Sequence, residues 1–81
     1  MLINRYSLIV FSKAVGKTIK ELRKARGITQ EGLAEMIDSH QVYISEIERG
    51  LKTPSLQVLY EMAKAFGMSL TSLVSSIEKN L

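Results

Sequence analysis

Three amphipathic runs in this sequence each stop on a glycine, and that punctuation constrains the fold more than any other feature. Apolar residues fall three and four apart in Val15, Ile19 and Leu22 before Gly27, in Tyr43, Ile44 and Ile47 before Gly50, and in Leu56, Leu59, Met62, Ala63 and Phe66 before Gly67. That spacing marks one face of a helix, and a glycine just past the last apolar residue suits the left-handed backbone of a helix end. With no strand-like alternation beyond a possible extended arm at residues 2–10, the pattern predicts short helices packed by their apolar stripes.

The boundaries follow from caps and breakers. A first helix is expected from about Ser12 to Arg26, with Phe11 at its entry, or from as early as Ser7. Thr29 is a good N-cap for a short second helix carrying Leu33, Ala34, Met36 and Ile37, with Glu31 at the positive end of its dipole. A third runs from about Gln41 to Arg49 after the turn Asp38-Ser39-His40. A fourth is expected to open at Thr53, with Pro54 as its first helical residue. Ser69 caps a last helix over about 69–80, whose stripe is Leu70, Leu73, Val74, Ile77 and finally Leu81. Residues 1–10 carry Leu2, Ile3, Leu8, Ile9 and Val10; this arm could pair with its symmetry mate, fold onto the last helix, or extend the first. Residues 11–81 then form a single all-α domain, a compact five-helix bundle.

Composition sets the class of function. The chain has 81 residues, 46% of them hydrophobic and 23% charged, enough for one core but a thin one. It has no cysteine and a single histidine, which excludes disulfides and thiolate metal sites and leaves His40 no second histidine or cysteine with which to hold a metal. Without a nucleophile and base pairing or a phosphate-cradling glycine loop, neither catalysis nor a cofactor is expected. The apolar start is interrupted by Asn4, Arg5 and Ser12 and is too short to span a bilayer, so no membrane association and a cytoplasmic location are expected. A net charge of +3 leans toward an anionic partner.

The second and third helices, joined by a tight turn, describe a helix-turn-helix, whose second helix fits the major groove of B-DNA. Helical spacing puts Gln41, Val42, Ser45, Glu46 and Arg49 on the side of the third helix opposite its apolar face. The string ITQEGLAEMIDSHQVYISEIERGLKTPSLQVL, from Ile28 to Leu59, closely resembles the Cro/cI-type (xenobiotic-response-element) helix-turn-helix family; the match reaches back to Gly16, Ile19, Leu22 and Arg23 and forward to Gly67. The resemblance implies a lambda-repressor-like fold and a transcriptional regulator of double-stranded DNA, a phage-type repressor or a controller protein of a restriction-modification system.

The resemblance also assigns roles. Gln30 touches a phosphate and braces the recognition helix; Gln41, Val42 and Glu46 read base edges, chemistry that suits adenine, a thymine methyl and cytosine N4 respectively. Lys52, Thr53, Pro54 and Ser55 correspond to a second phosphate clamp, and Arg23 with Glu48 to a structural ion pair. Ser45 and Arg49, on the same outer face, join the phosphate-contacting set, and His40 is either a DNA contact or an exposed turn residue. Three positions depart from the family pattern. Gly32 replaces an acidic residue, Asp38 a glycine in the turn, and His40 a capping Ser or Thr, so that Ser39 is an alternative cap. Met36, Met62 and Met68 read as core filler, and the run Lys20, Glu21, Arg23, Lys24 and Arg26 as a solvated face from which Arg26, with Lys17, adds long-range attraction to DNA.

One recognition helix reads too few base pairs to stand out in a genome, which predicts a homodimer on a near-palindromic site. The expected seam is Phe66, Leu73, Val74, Ile77 and Leu81, with Tyr60 at its edge. The alternative is a protein-binding module, antitoxin-like, that uses the same domain as scaffold; a protein partner such as RNA polymerase or a toxin is compatible with either reading.

Overall fold

The computed structural model describes residues 4–81, and the part of the arm before Asn4 lies outside them. Five helices follow one another: α1 Arg5–Ala25, α2 Gln30–Met36, α3 Gln41–Glu48, α4 Leu56–Ala65 and α5 Leu70–Lys79. There is no strand among the described residues. The apolar stripes converge on one core, in which Val15, Ile19, Leu33, Ile44, Ile47, Met62, Leu73 and Ile77 are all but sealed from solvent.

Four of the five helices close in the same way. The residue after the C-cap takes a positive φ, and its N–H and the next one turn back to carbonyls of the last turn, satisfying groups the helix leaves orphaned. Gly27 (φ 66°), Gly50 (φ 76°) and Gly67 (φ 69°) do this where the sequence places them, and Asp38 (φ 55°) does it between α2 and α3. There, Asp38 N–H reaches the Glu35 carbonyl at 3.2 Å and Ser39 N–H the Ala34 carbonyl at 2.8 Å.

Two boundaries differ from expectation. Helix α1 begins at Arg5, not near Ser12 or Ser7, because the Asn4 side chain caps it by accepting from Tyr6 N–H at 2.7 Å. Residues 5–10 therefore extend the first helix. Helix α4 begins two residues after Pro54, because Ser55 is its N-cap and accepts from Val58 N–H at 3.1 Å. The expected cap, Thr53, has its hydroxyl hydrogen-bonded to that of Ser12, and proline disfavours helical geometry in the residue before it.

Gly16 fixes how α1 crosses α3. A Cβ at this position would lie 2.3 Å from the Ile47 carbonyl oxygen and 2.8 Å from that of Glu48. Only a bare backbone permits the crossing, which explains a glycine inside a helix where it costs about 1 kcal/mol relative to Ala.

Candidate nucleic-acid interface

Helix α3 buries Ile44 and Ile47 and turns Val42 outward, 62% exposed. It starts at His40, whose side chain makes no cap hydrogen bond and is exposed; Ser39 is not the cap. With so little of its own to hold its first turn, α3 is held from outside, by a chain of side chains running from α1.

The chain begins with an ion pair. Arg23 Nε donates to Glu48 Oε2 at 2.7 Å and Nη2 to Oε1 at 3.0 Å, while Nη1 donates to the Ile28 carbonyl at 2.7 Å. The side chains are 9% and 4% exposed, so this two-pronged pair works where water screens it little. Hydrogen bonding to Glu48 raises the Arg23 pKa above its ordinary value, outweighing the opposing effect of burial. A raised guanidinium contributes stability that is lost only as pH climbs through its folded pKa, which lies above its already strongly basic ordinary value, so it stays charged throughout the neutral range.

Glu48 Oε1 also accepts from Gln30 Nε2 at 3.0 Å, and Gln30 Oε1 accepts from Gln41 Nε2 at 2.6 Å. The relay thus pins both ends of α3, at Gln41 and at Glu48, to α1 and α2. It leaves Gln41 with its Oε1 and a second N–H, an acceptor and a donor side by side, which is the pair that matches adenine N6 and N7. Gln30, with its oxygen and one N–H engaged, keeps a single side-chain N–H uncommitted within the relay.

The remaining expected site residues lie around this axis. Glu46 is on the outward side but is not alone: Lys52 Nζ stands 3.5 Å from its Oε1. Arg49 is exposed, and its Nε lies 3.4 Å from the Ser45 carbonyl, a long contact that leaves the guanidinium available. Lys52, Thr53 and Ser55 are exposed around buried Pro54, with Thr53 fastened to Ser12 of α1.

The expected dimer seam is not brought together. Phe66, Leu73 and Ile77 are buried in the chain's own core because the stripe of α5 already packs on α1 and α4; Val74 and Leu81 remain exposed, as does Tyr60. Of the run expected to be a solvated face, Arg23 is buried instead, whereas Arg26 is exposed. Arg26 also donates through Nε to the Phe66 carbonyl at 2.7 Å and lies over the Phe66 ring, 5.5 Å from its centroid, closing the end of α4. Asn80 similarly locks α5 to α1, donating to Thr18 Oγ1 at 2.7 Å and to Glu21 Oε1 at 3.0 Å. These contacts join residues 40 or more positions apart, and nothing in local spacing announces them.

A helix-turn-helix family model matches residues 19–73, from the middle of α1 into α5. The chain belongs to the helix-turn-helix family. It is 37% identical over 67 residues to the HTH-type transcriptional regulator y4dJ of Sinorhizobium fredii, covering 83% of this chain and 87% of that one. It is 38% identical over 65 residues to the control protein C.MunI of a Mycoplasma species, covering 79% and 88%. Among solved structures it superposes on the restriction-modification controller protein C.AhdI from Aeromonas hydrophila with a TM-score of 0.70 at 31% identity, covering 84% and 97%. As a helix-turn-helix protein the chain has α2 and α3 as its paired helices, α3 being the second. No helix among its described residues is long and apolar enough to cross a membrane.

Proposed function

We propose that this helix-turn-helix protein is a sequence-specific, double-stranded-DNA-binding transcriptional regulator that acts as a homodimer on a near-palindromic site in the cytoplasm. The observation that carries the reading is the relay Arg23–Glu48–Gln30–Gln41, which holds α3 as a fixed rod with Gln41, Val42 and Glu46 presented outward. Base edges are read by side chains held in one geometry, and phosphate contacts set the register in which they are read.

In this reading Lys52, Thr53 and Ser55, with the free amides at the start of α4, grip one backbone strand, and Arg49, Ser45 and the remaining N–H of Gln30 grip another. His40 sits at the mouth of the groove. Lys52 must leave Glu46 to reach a phosphate; an exposed ion pair of this kind is worth about 0–1 kcal/mol, so the exchange is easy. The same exchange frees the Glu46 carboxylate to accept from a cytosine amine. Because relatives of this size include a control protein, we also place the chain's own promoter among its targets, with occupancy following its concentration. A reporter on that promoter that ignored the protein's level would remove this part of the proposal.

Selection of bound sites from random duplexes tests the core of the reading. It should return a near-palindrome, and Gln41→Ala should relax preference at one symmetric position by about 1–3 kcal/mol. Lys52→Ala should instead weaken binding to all sites alike. Enrichment of no sequence over genomic competitor would overturn the proposal.

A further inference from the structure

Helix α1 is longer than the bundle needs. Its 21 residues span about 31 Å at 1.5 Å per residue, whereas the ten of α5, which packs beside it, span about 15 Å. The first two turns overshoot, and apart from Arg5 and Ser7 they are apolar. Tyr6 (74% exposed), Leu8, Ile9, Val10 and Phe11 step around the axis at about 100° per residue, with Leu81 (61% exposed) beside them across a shallow groove lined by Tyr6, Ser7, Val10 and Phe11. A helical segment with so large an apolar share is stable when that surface is enclosed.

We propose that residues 6–11 of α1, with Leu81, form the seam between two copies of this chain; the proposal rests on the two-fold DNA reading above and names the surface that reading needs. Three observations select a second copy as the occupant. Tyr6, Val10, Phe11 and Leu81 line one groove and are all exposed, a contiguous apolar face of the kind that, at roughly 300–600 Å², marks an interaction site on a monomer and forms the core of a standard interface. The segment from Ser7 to Ser12 holds no charged residue, so an isologous contact buries no unpaired charge. The segment is also fastened to the proposed phosphate clamp: the Ser12 hydroxyl bonds that of Thr53, and a Cβ on Gly50 would meet Lys13. A seam here sets the spacing of two clamps directly, whereas Phe66, Leu73 and Ile77 are already enclosed within one chain.

Sedimentation of the full chain without DNA tests this independently of base reading. The wild type should be a dimer, and Tyr6→Glu/Val10→Glu should weaken self-association by about 100-fold or more while its helical circular dichroism stays that of the wild type. Val74→Glu, on the exposed side of α5, should leave the dimer intact. Joining two Tyr6→Glu/Val10→Glu chains by a flexible linker should restore binding to the duplex selected by the wild type, which separates lost assembly from lost fold. A wild type that stays monomeric overturns the seam and leaves the face to a different protein. A double variant that dimerises like the wild type, or a dimer broken by Val74→Glu alone, overturns it too. If instead the wild type dimerises through this face but prefers no duplex, the seam stands and the DNA reading falls.

Discussion

Glu48 stands at the centre of the relay, because its carboxylate answers both Arg23 and Gln30. Replacing it with alanine strands a guanidinium only 9% exposed, and removing one partner of such a pair costs about 3–5 kcal/mol. Urea titration of Glu48→Ala should show that loss, whereas Arg23→Met/Glu48→Leu should recover most of it, since apolar side chains of similar volume can replace a buried pair. The double variant should still bind DNA less selectively, because Gln30 then has no anchor and Gln41 loses its brace. A second residue-scale prediction concerns Asp38, an L-residue in left-handed backbone that Gly27, Gly50 and Gly67 adopt without strain. Asp38→Gly should stabilise the protein by roughly 0.5–1 kcal/mol, raising Tm by about 2–8 °C in a scanning calorimeter.

Between helices, the crossing of α1 over α3 is set by backbone contact at Gly16. Alanine there gains helix propensity but overpacks against two carbonyls that belong to the recognition helix; Gly16→Ala should cost about 2 kcal/mol by chemical denaturation and reduce site selectivity by tilting α3. Elements of this kind show what was legible in the sequence. The five helices and their glycine stops were, because apolar period and cap chemistry are local. The face of α3 and the Arg23–Glu48 pair were legible from family resemblance, and the outward side of α3 from spacing as well. The start of α4 was misplaced because two hydroxyls, Thr53 and Ser55, compete as caps, and a tertiary bond from Ser12 decides the contest. Three of the five expected seam residues, Phe66, Leu73 and Ile77, lie in the chain's own core for a related reason: periodicity shows that they are apolar but not which surface covers them, and the chain's own helices reach them first.

The whole molecule is a lightly basic body, net +3, whose grip on DNA must be largely a matter of phosphates. With about four neutralised per half-site, the logarithm of operator affinity against that of salt concentration should fall with a slope near −7 for a dimer. Lys52→Ala should make that slope shallower by about 1 per half-site, and a titration over salt by fluorescence anisotropy would measure both. Monomeric Tyr6→Glu/Val10→Glu should show about half the wild-type slope, since one clamp set replaces two.

The outer side of α3 is separable from what holds the helix in place. Among the described residues neither Val42 nor Glu46 hydrogen-bonds to the relay, and Glu46 pairs with an exposed lysine, so these two positions are open to replacement without disturbing the scaffold. Gln41 is different, because its amide is already tied to Gln30 and in the proposed reading must also meet the target. Retargeting this protein to a new operator should therefore succeed by varying positions 42 and 46 in a library, and stall wherever the desired site also demands a different residue at 41.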